Sequence, residues 1–127
     1  KASGVKMVVS RSDNPMSDVA GLFAPKNEIQ EDVVASQALP LYCALSHREL
    51  FDRTGPLKEY PYAWYEDEFL YWKMSQMGFK QAISGRSWVH HKGQATINSL
   101  WAKSPEIKKI MESNREKCLQ DIRTIFV

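Results

Sequence analysis

The sequence predicts an α/β domain, because segments with strand-like composition alternate with segments of helical periodicity. Strands are predicted at residues 5–9, 39–45 and 79–91, and the two main helices at residues 66–77 and about 105–125. The 127 residues are 43% hydrophobic and 11% aromatic, which is enough apolar material for one buried core. We therefore expect residues 1–127 to form a single domain.

Residues 5–9 (VKMVV) form the first β-rich run and end at polar residues. Residues 10–32 contain two prolines, mixed charge and little periodicity, so we expect a loop whose part 13–30 is the most mobile internal segment. The apolar run at residues 39–45 then predicts a buried strand. Ser46 and Glu49 have the spacing of a capping box, and the short helix that follows should stop at Gly55.

The helix at residues 66–77 has three acidic residues in its first turn and Gly78 after its last. Apolar side chains occupy two opposed faces of this helix, which is typical of a helix packed between two layers. We expect four of them to be largely buried: Phe69, Leu70, Trp72 and Met74.

A strand follows at residues 79–91, with a possible break at residues 84–86. Ser104 and Pro105 then provide the cap and first position of the C-terminal helix. Its apolar stripe is Ile107, Ile110, Met111, Cys118, Ile122 and Ile125.

Charge and composition exclude several classes of function. A net charge of +2, without a dense Lys/Arg stripe, predicts no nucleic-acid partner. No apolar run approaches the roughly 20 residues that cross a bilayer, so no membrane span is predicted. Cys43 and Cys118 each lie in an apolar pattern, and we interpret them as buried free thiols of a cytoplasmic protein. A single disulfide between them stays open.

The carboxylates Glu66, Asp67 and Glu68 are candidates for acid–base chemistry, and Tyr62, Trp64 and Tyr65 place aromatic surface just before them. The helix N-terminus lowers the pKa of such a carboxylate, whereas neighbouring carboxylates and an apolar wall raise it. The alternative interpretation is that the three acidic residues are only favourable charges at the start of a helix and have no catalytic role.

His90 and His91 end the third predicted strand, so their side chains should point to opposite sides. One imidazole can complete a Mn²⁺ or Mg²⁺ site built mostly of carboxylate and phosphate oxygens. The alternative is a histidine that is only exposed or hydrogen-bonded.

The order of acids, helix, glycine, strand and histidine over residues 65–93 resembles the acceptor-side half of a GT-A fold glycosyltransferase of the family 2-like kind. Glu66 and Asp67 match the acidic pair, with Asp67 in the position of the catalytic base, and Lys73 stands at the usual arginine. The acidic stretch is also similar to that of galactosyltransferases, and the match extends over residues 39–93.

The resemblance implies a partial GT-A domain with a small mixed sheet packed by helices. It implies transfer of a sugar from a nucleotide-sugar donor to a carbohydrate or other hydroxyl acceptor, with inversion and with Mn²⁺ or Mg²⁺. Asp67 or Glu66 would be the base, and His91 or His90 the metal-side ligand. The acceptor would bind Tyr62, Trp64 and Tyr65.

The sequence departs from the family pattern at two points. Phe69 stands where a further aspartate is common, and no Asp-x-Asp motif is present; Asp13 is followed by Asn14 and Pro15. We therefore expect a piece of a longer enzyme, incomplete or inactive alone, whose nucleotide-binding half is not in these residues. The alternatives are a non-catalytic carbohydrate-binding or assembly module on the same scaffold, and a metal-binding regulatory domain that uses its three histidines. Homo-oligomerisation stays open.

Overall fold

The computed structural model describes residues 4–13, 21–24, 29–62, 64–92 and 95–126. Most of the segment 13–30, for which the sequence predicts mobility, lies outside the described residues.

The described residues contain a four-stranded mixed sheet in the order β2-β4-β1-β3. The central strands β1 (Val5–Ser12) and β4 (Lys80–Val89) are parallel, and the edge strands β2 (Val33–Val34) and β3 (Ala44–Ser46) pair with them antiparallel. The mixed α/β architecture expected from the sequence is thus present.

Four helices accompany this sheet in the described part of the chain: α1 (Arg48–Thr54), α2 (Glu66–Gln76), α3 (Ala95–Lys103) and α4 (Pro105–Ile125). The core joins α1 and α2 to the sheet, with α4 lying across α2 and α3 against α4. The buried apolar residues of this core are Met7, Val9, Leu22, Leu39, Leu50, Leu70, Met74, Phe79 and Ile83.

The run at residues 39–45 is not the buried strand that its composition predicts. Only Ala44–Ser46 is a strand, and it pairs on one side alone, so that Leu45 is 78% exposed. Leu39 reaches the core as part of an irregular connection, and its N–H donates to Gln81 Oε1 at 3.2 Å. Cys43 is exposed beside this edge, so the expectation of a buried thiol is wrong for Cys43 and confirmed for Cys118.

The predicted short helix is present, but its cap differs. His47, not Ser46, is the N-cap residue, and its Nδ1 accepts from the N–H of Glu49 at 3.2 Å. The Glu49 carboxylate binds Lys6 Nζ at 2.8 Å and is therefore engaged outside the helix. The helix ends at Gly55, whose φ of 76° is the left-handed conformation that favours glycine.

Helix α2 ends as predicted, at a left-handed Gly78 with φ 76°. Leu70 and Met74 are buried as expected. Phe69 is only half-buried and Trp72 is 38% exposed, so the predicted burial on both faces is wrong for Trp72. Its indole N–H donates to Glu68 Oε1 at 3.0 Å, along the helix surface.

Gln81 on β4 is a fully buried amide in the middle of this core. Its Oε1 accepts from Leu39 N–H, and its Nε2 donates to the sulfur atoms of Met7 at 3.5 Å and Met74 at 3.6 Å. The amide therefore links β1, α2 and the connection before β3.

The predicted break in β4 is a register shift: Ser10 pairs with Ser84, and the next residue Arg11 pairs with Trp88. At this bulge residues 29–32, here called the strap, cross β4 at Gly85. A Cβ on Gly85 would lie 1.9 Å from the backbone O of Gln30, so only glycine permits the crossing.

Hydrogen bonds on both sides fix the strap. Gln30 N–H donates to Gly85 O at 2.9 Å, and Gly85 N–H donates to Asp32 Oδ1 at 2.7 Å. The buried Arg11 guanidinium donates to Gln30 Oε1 and to Glu31 O, each at 2.7 Å.

We predict that Gly85→Ala lowers the free energy of unfolding by about 2 kcal/mol or more, because the added methyl group must displace the strap backbone. Urea unfolding measures this, with Ser84→Ala on the same strand as the control. A Gly85→Ala protein as stable as the Ser84→Ala protein would contradict the close approach.

Candidate functional site

A depression of about 240 Å³ lies at the N-terminus of α2 and is lined by Trp64, Tyr65, Glu66, Asp67 and Glu68. Two aromatic residues thus meet three consecutive carboxylates at one opening. Successive helical residues point about 100° apart, so the three carboxylates differ in their surroundings.

The backbone that leads into α2 is strained. Tyr62, Trp64 and Tyr65 all have left-handed φ angles, of 68°, 80° and 74°. Each such non-glycine residue costs about 1–3 kcal/mol, and residues of this kind concentrate at functional sites. The ring of Trp64 meets Trp101 of α3 edge to face, with centroids 5.6 Å apart.

Asp67 has the most perturbed carboxyl group of the depression. Burial raises its pKa from an ordinary 3.8 to about 6, and the negative charges of Glu66 and Glu68 add to the rise. The N–H of Glu68, which donates to Asp67 Oδ1 at 2.9 Å, opposes the rise by favouring the charged form. Near pH 7 the group is therefore ionised in its larger part and still basic enough to accept a proton.

The two histidines lie at the carboxyl ends of the parallel strands β1 and β4. His90 Nδ1 is 2.6 Å from Asp13 Oδ2, and His91 N–H donates to Asp13 Oδ1 at 3.0 Å. The contact with His90 holds the pKa of Asp13 below its ordinary value. The His91 ring stacks on Tyr42 with centroids 4.5 Å apart, so the two imidazoles diverge.

The structure brings the predicted site residues together in two groups. Trp64, Tyr65, Glu66 and Asp67 share the depression, whereas Tyr62 is 58% exposed and does not line it. Residues 77–79 join α2 directly to β4, and the N–H groups of Gly78 and Phe79 donate to the carbonyls of Ser75 and Met74. None of the described contacts joins the two groups.

Asp13 and Tyr42 contact the two histidines, and sequence reasoning did not assign them to the candidate site. Asp13 is 77 positions from His90, and only the pairing of β1 with β4 makes them neighbours. The sequence signal that could have identified Asp13 is its position just after a strand, because ligands of α/β sheets bind outside the carboxyl ends of the strands.

Among the described residues no group of three or more His, Cys, Asp or Glu side chains could hold a metal ion. Asp13 and His90 supply one carboxylate and one imidazole, a donor pair that fits Mn²⁺ or Mg²⁺ only as part of a coordination sphere.

Comparison with protein-family models, with curated proteins and with solved structures finds no match to this chain. In the part of the chain that the structure describes, no helix is both long and apolar enough to cross a membrane.

The raised pKa of Asp67 predicts that its charge opposes folding. Below pH 3.8 the carboxyl is protonated in the folded and the unfolded chain; as pH rises towards 6 the unfolded chain loses this proton first, so stability falls. Above pH 6 the full penalty is present, up to about 3 kcal/mol for a shift of this size.

We therefore expect Asp67→Asn to stabilise the protein at pH 7.5, by about 1–3 kcal/mol. The gain should fall to about 0.5 kcal/mol near pH 4, where Asp67 is neutral in the folded chain and only partly ionised in the unfolded chain. Urea unfolding at both pH values measures it, with Asp52→Asn on the exposed face of α1 as the matched control. Destabilisation by Asp67→Asn at pH 7.5 would show that the charged carboxylate is favoured in the fold.

Proposed function

We propose that this chain forms the acceptor side of a nucleotide-sugar-dependent glycosyltransferase. The observation that carries the proposal is Asp67: a carboxylate with a pKa of about 6, in a depression walled by Trp64 and Tyr65. A basic carboxylate next to aromatic surface suits the activation of a sugar hydroxyl. The ordered motif of residues 65–93, which resembles that of glycosyltransferases, supports the same proposal.

The acceptor sugar packs the apolar face of its ring on Trp64 and Tyr65, with one hydroxyl towards the carboxylates. Asp67 accepts the proton of that hydroxyl as its oxygen attacks the anomeric carbon of the donor. A new bond forms from the acceptor oxygen to the anomeric carbon, while the bond to the diphosphate oxygen breaks. The nucleoside diphosphate leaves with the electron pair, and attack from the opposite face inverts the configuration.

Glu66 has a supporting role in this scheme. Its negative charge is the second cause of the raised pKa of Asp67, after burial. Removing the charge of Glu66 would therefore lower the basicity of Asp67 without removing the base.

The proposal includes Mn²⁺ or Mg²⁺ at the carboxyl ends of β1 and β4. His90 or His91 would serve as the protein-side imidazole with Asp13 beside them, and the donor diphosphate would fill the remaining positions. When bound, the metal neutralises charge on the diphosphate leaving group.

A second candidate is a carbohydrate-binding or assembly module that keeps the scaffold and performs no transfer. The absence of an Asp-x-Asp motif from the 127 residues favours it. In that case the aromatic wall would bind sugar, and the charge on Asp67 would have no catalytic effect.

We predict that Asp67→Asn lowers kcat by about 10²–10⁴-fold with little change in donor KM, because a general base acts in the chemical step. The assay follows release of nucleoside diphosphate by the protein at its natural length, with UDP- and GDP-sugars, a set of methyl glycosides and Mn²⁺. Asp52→Asn is the matched control. His90→Ala should instead raise the Mn²⁺ concentration that gives half-maximal rate, because the His90 imidazole is the one that lies beside Asp13.

Three outcomes would change this assignment. Normal turnover of Asp67→Asn with an inactive Glu66→Gln would move the base by one residue. Normal turnover of both variants would remove the catalytic role of the acids. Saccharide binding without any transfer by the unaltered protein would favour the binding module.

A further inference from the structure

One face of α4 carries three polar side chains at helical spacing: Asn114, Cys118 and Asp121, here called the polar row. Asn114 is fully buried, although a buried helix face is normally apolar, and Cys118 on the same face is 1% exposed. Residues four and three positions apart lie one above the other on a helix, so the row presents a continuous line of hydrogen-bonding groups.

The polar row meets the segment that precedes α2, residues 58–62, 64 and 65, here called the aromatic loop. Asn114 Nδ2 donates to the carbonyl of Pro61 at 2.9 Å. Cys118 Sγ donates to the carbonyl of Tyr65 at 3.6 Å. These two bonds end on backbone atoms on either side of Trp64.

Asp121 holds the beginning of the same loop. Its Oδ2 accepts from the Tyr60 hydroxyl at 2.8 Å and lies 3.7 Å from Lys58 Nζ. The three side chains of the row thus contact the loop near its start, middle and end, over two turns of α4.

The loop needs such support because its backbone is unfavourable by itself. Left-handed φ angles at Tyr62, Trp64 and Tyr65 persist only where surrounding contacts outweigh their cost. Hydrogen bonds that end on the carbonyls of Pro61 and Tyr65 act directly on this part of the chain.

We infer that the polar row holds the aromatic loop in the conformation that receives the acceptor, so that Asn114 and Cys118 are positioning residues for acceptor binding. The inference rests on the proposed function and assigns to α4 the control of its acceptor subsite. Tyr65 is also the residue before α2, two positions from Asp67. The row therefore sets where the aromatic wall stands relative to the carboxylates.

The test uses changes that remove one donor with little change of shape. Asn114→Leu is close in size to Asn114 and uncharged, but it has no donor for the Pro61 carbonyl. Cys118→Ala removes the thiol, whereas Cys118→Ser keeps a donor to the Tyr65 carbonyl. Glu116→Gln, on the exposed face of α4, is the control.

The first measurement is amide hydrogen exchange. Loss of one neutral hydrogen bond should speed exchange of the loop amides of Tyr60, Tyr62 and Tyr65 by about fivefold to tenfold. Exchange at Val9 and Ile83 in the sheet should stay as in the control. Unchanged loop exchange, or equal acceleration in loop and sheet, overturns the inference, because the row would then be irrelevant or merely structural.

The second measurement separates acceptor affinity from chemistry. In the transfer assay, Asn114→Leu and Cys118→Ala should raise the acceptor KM by about fivefold to tenfold and leave kcat and donor KM unchanged. Cys118→Ser should restore the acceptor KM. Faster loop exchange with an unchanged acceptor KM overturns the positioning role.

If the unaltered protein transfers no sugar, the proposed function fails, and the inference is judged on binding alone. Methyl β-glucoside and methyl β-galactoside are then titrated while the Trp64 indole N–H is followed by NMR. Binding weakened about fivefold to tenfold in the same variants supports the inference. Unchanged binding, or no binding by the unaltered protein, overturns it.

Discussion

The parallel pairing of β1 with β4 is the interaction on which the rest of the structure depends. It joins two strands that are far apart in sequence, and it presents Val9 and Ile83 as the wall against which the apolar sides of α1 and α2 pack. The same pairing brings Asp13 at the end of β1 to His90 just after β4. Because α2 turns directly into β4, the position of that strand also decides where the first turn of α2, with its carboxylates, meets the aromatic loop.

At Asp67 two physical effects oppose each other, and their sizes decide the chemistry. The start of a helix favours a negative charge by about 0.3–1 kcal/mol when exposed, and the N–H of Glu68 adds a hydrogen bond to the charged form. Burial and the neighbouring carboxylates act the other way and prevail, since the pKa is about 6. The fold thus tolerates an unfavourable charge at a place where a neutral amide would be more stable. A residue kept against stability in this way is typical of a functional site.

Features encoded over a few residues were predictable, whereas those that depend on distant partners were not. Gly55, Gly78 and the Ser104–Pro105 step end or begin helices through their own backbone preferences, and the break in β4 follows from Gly85. His47 takes the place of Ser46 as the cap because Ser46 belongs to β3 and pairs with Met7, and the Glu49 carboxylate binds Lys6 on another strand. The exposure of Trp72 and Cys43 likewise depends on which distant elements pack against them, and adjacent residues in the sequence do not determine this. In the candidate site, the acidic residues and the aromatic residues before them were predicted from the order of motifs along the sequence. The contacts of α4 with the aromatic loop span 53 positions and left no local signal.

The buried amide of Gln81 bears on how the chain finds this arrangement. A parallel pair rich in Val, Ile and Met could slide by two residues and still bury apolar surface, so hydrophobicity alone discriminates poorly between alignments. In any such slipped alignment Gln81 would lose the Leu39 N–H and the two methionine sulfurs and would be buried without partners, which costs about 1–3 kcal/mol. The amide therefore contributes little to the stability of the native state, but it raises the free energy of the slipped alignments. It makes β4 selective for the one alignment in which Leu39, Met7 and Met74 all reach the amide.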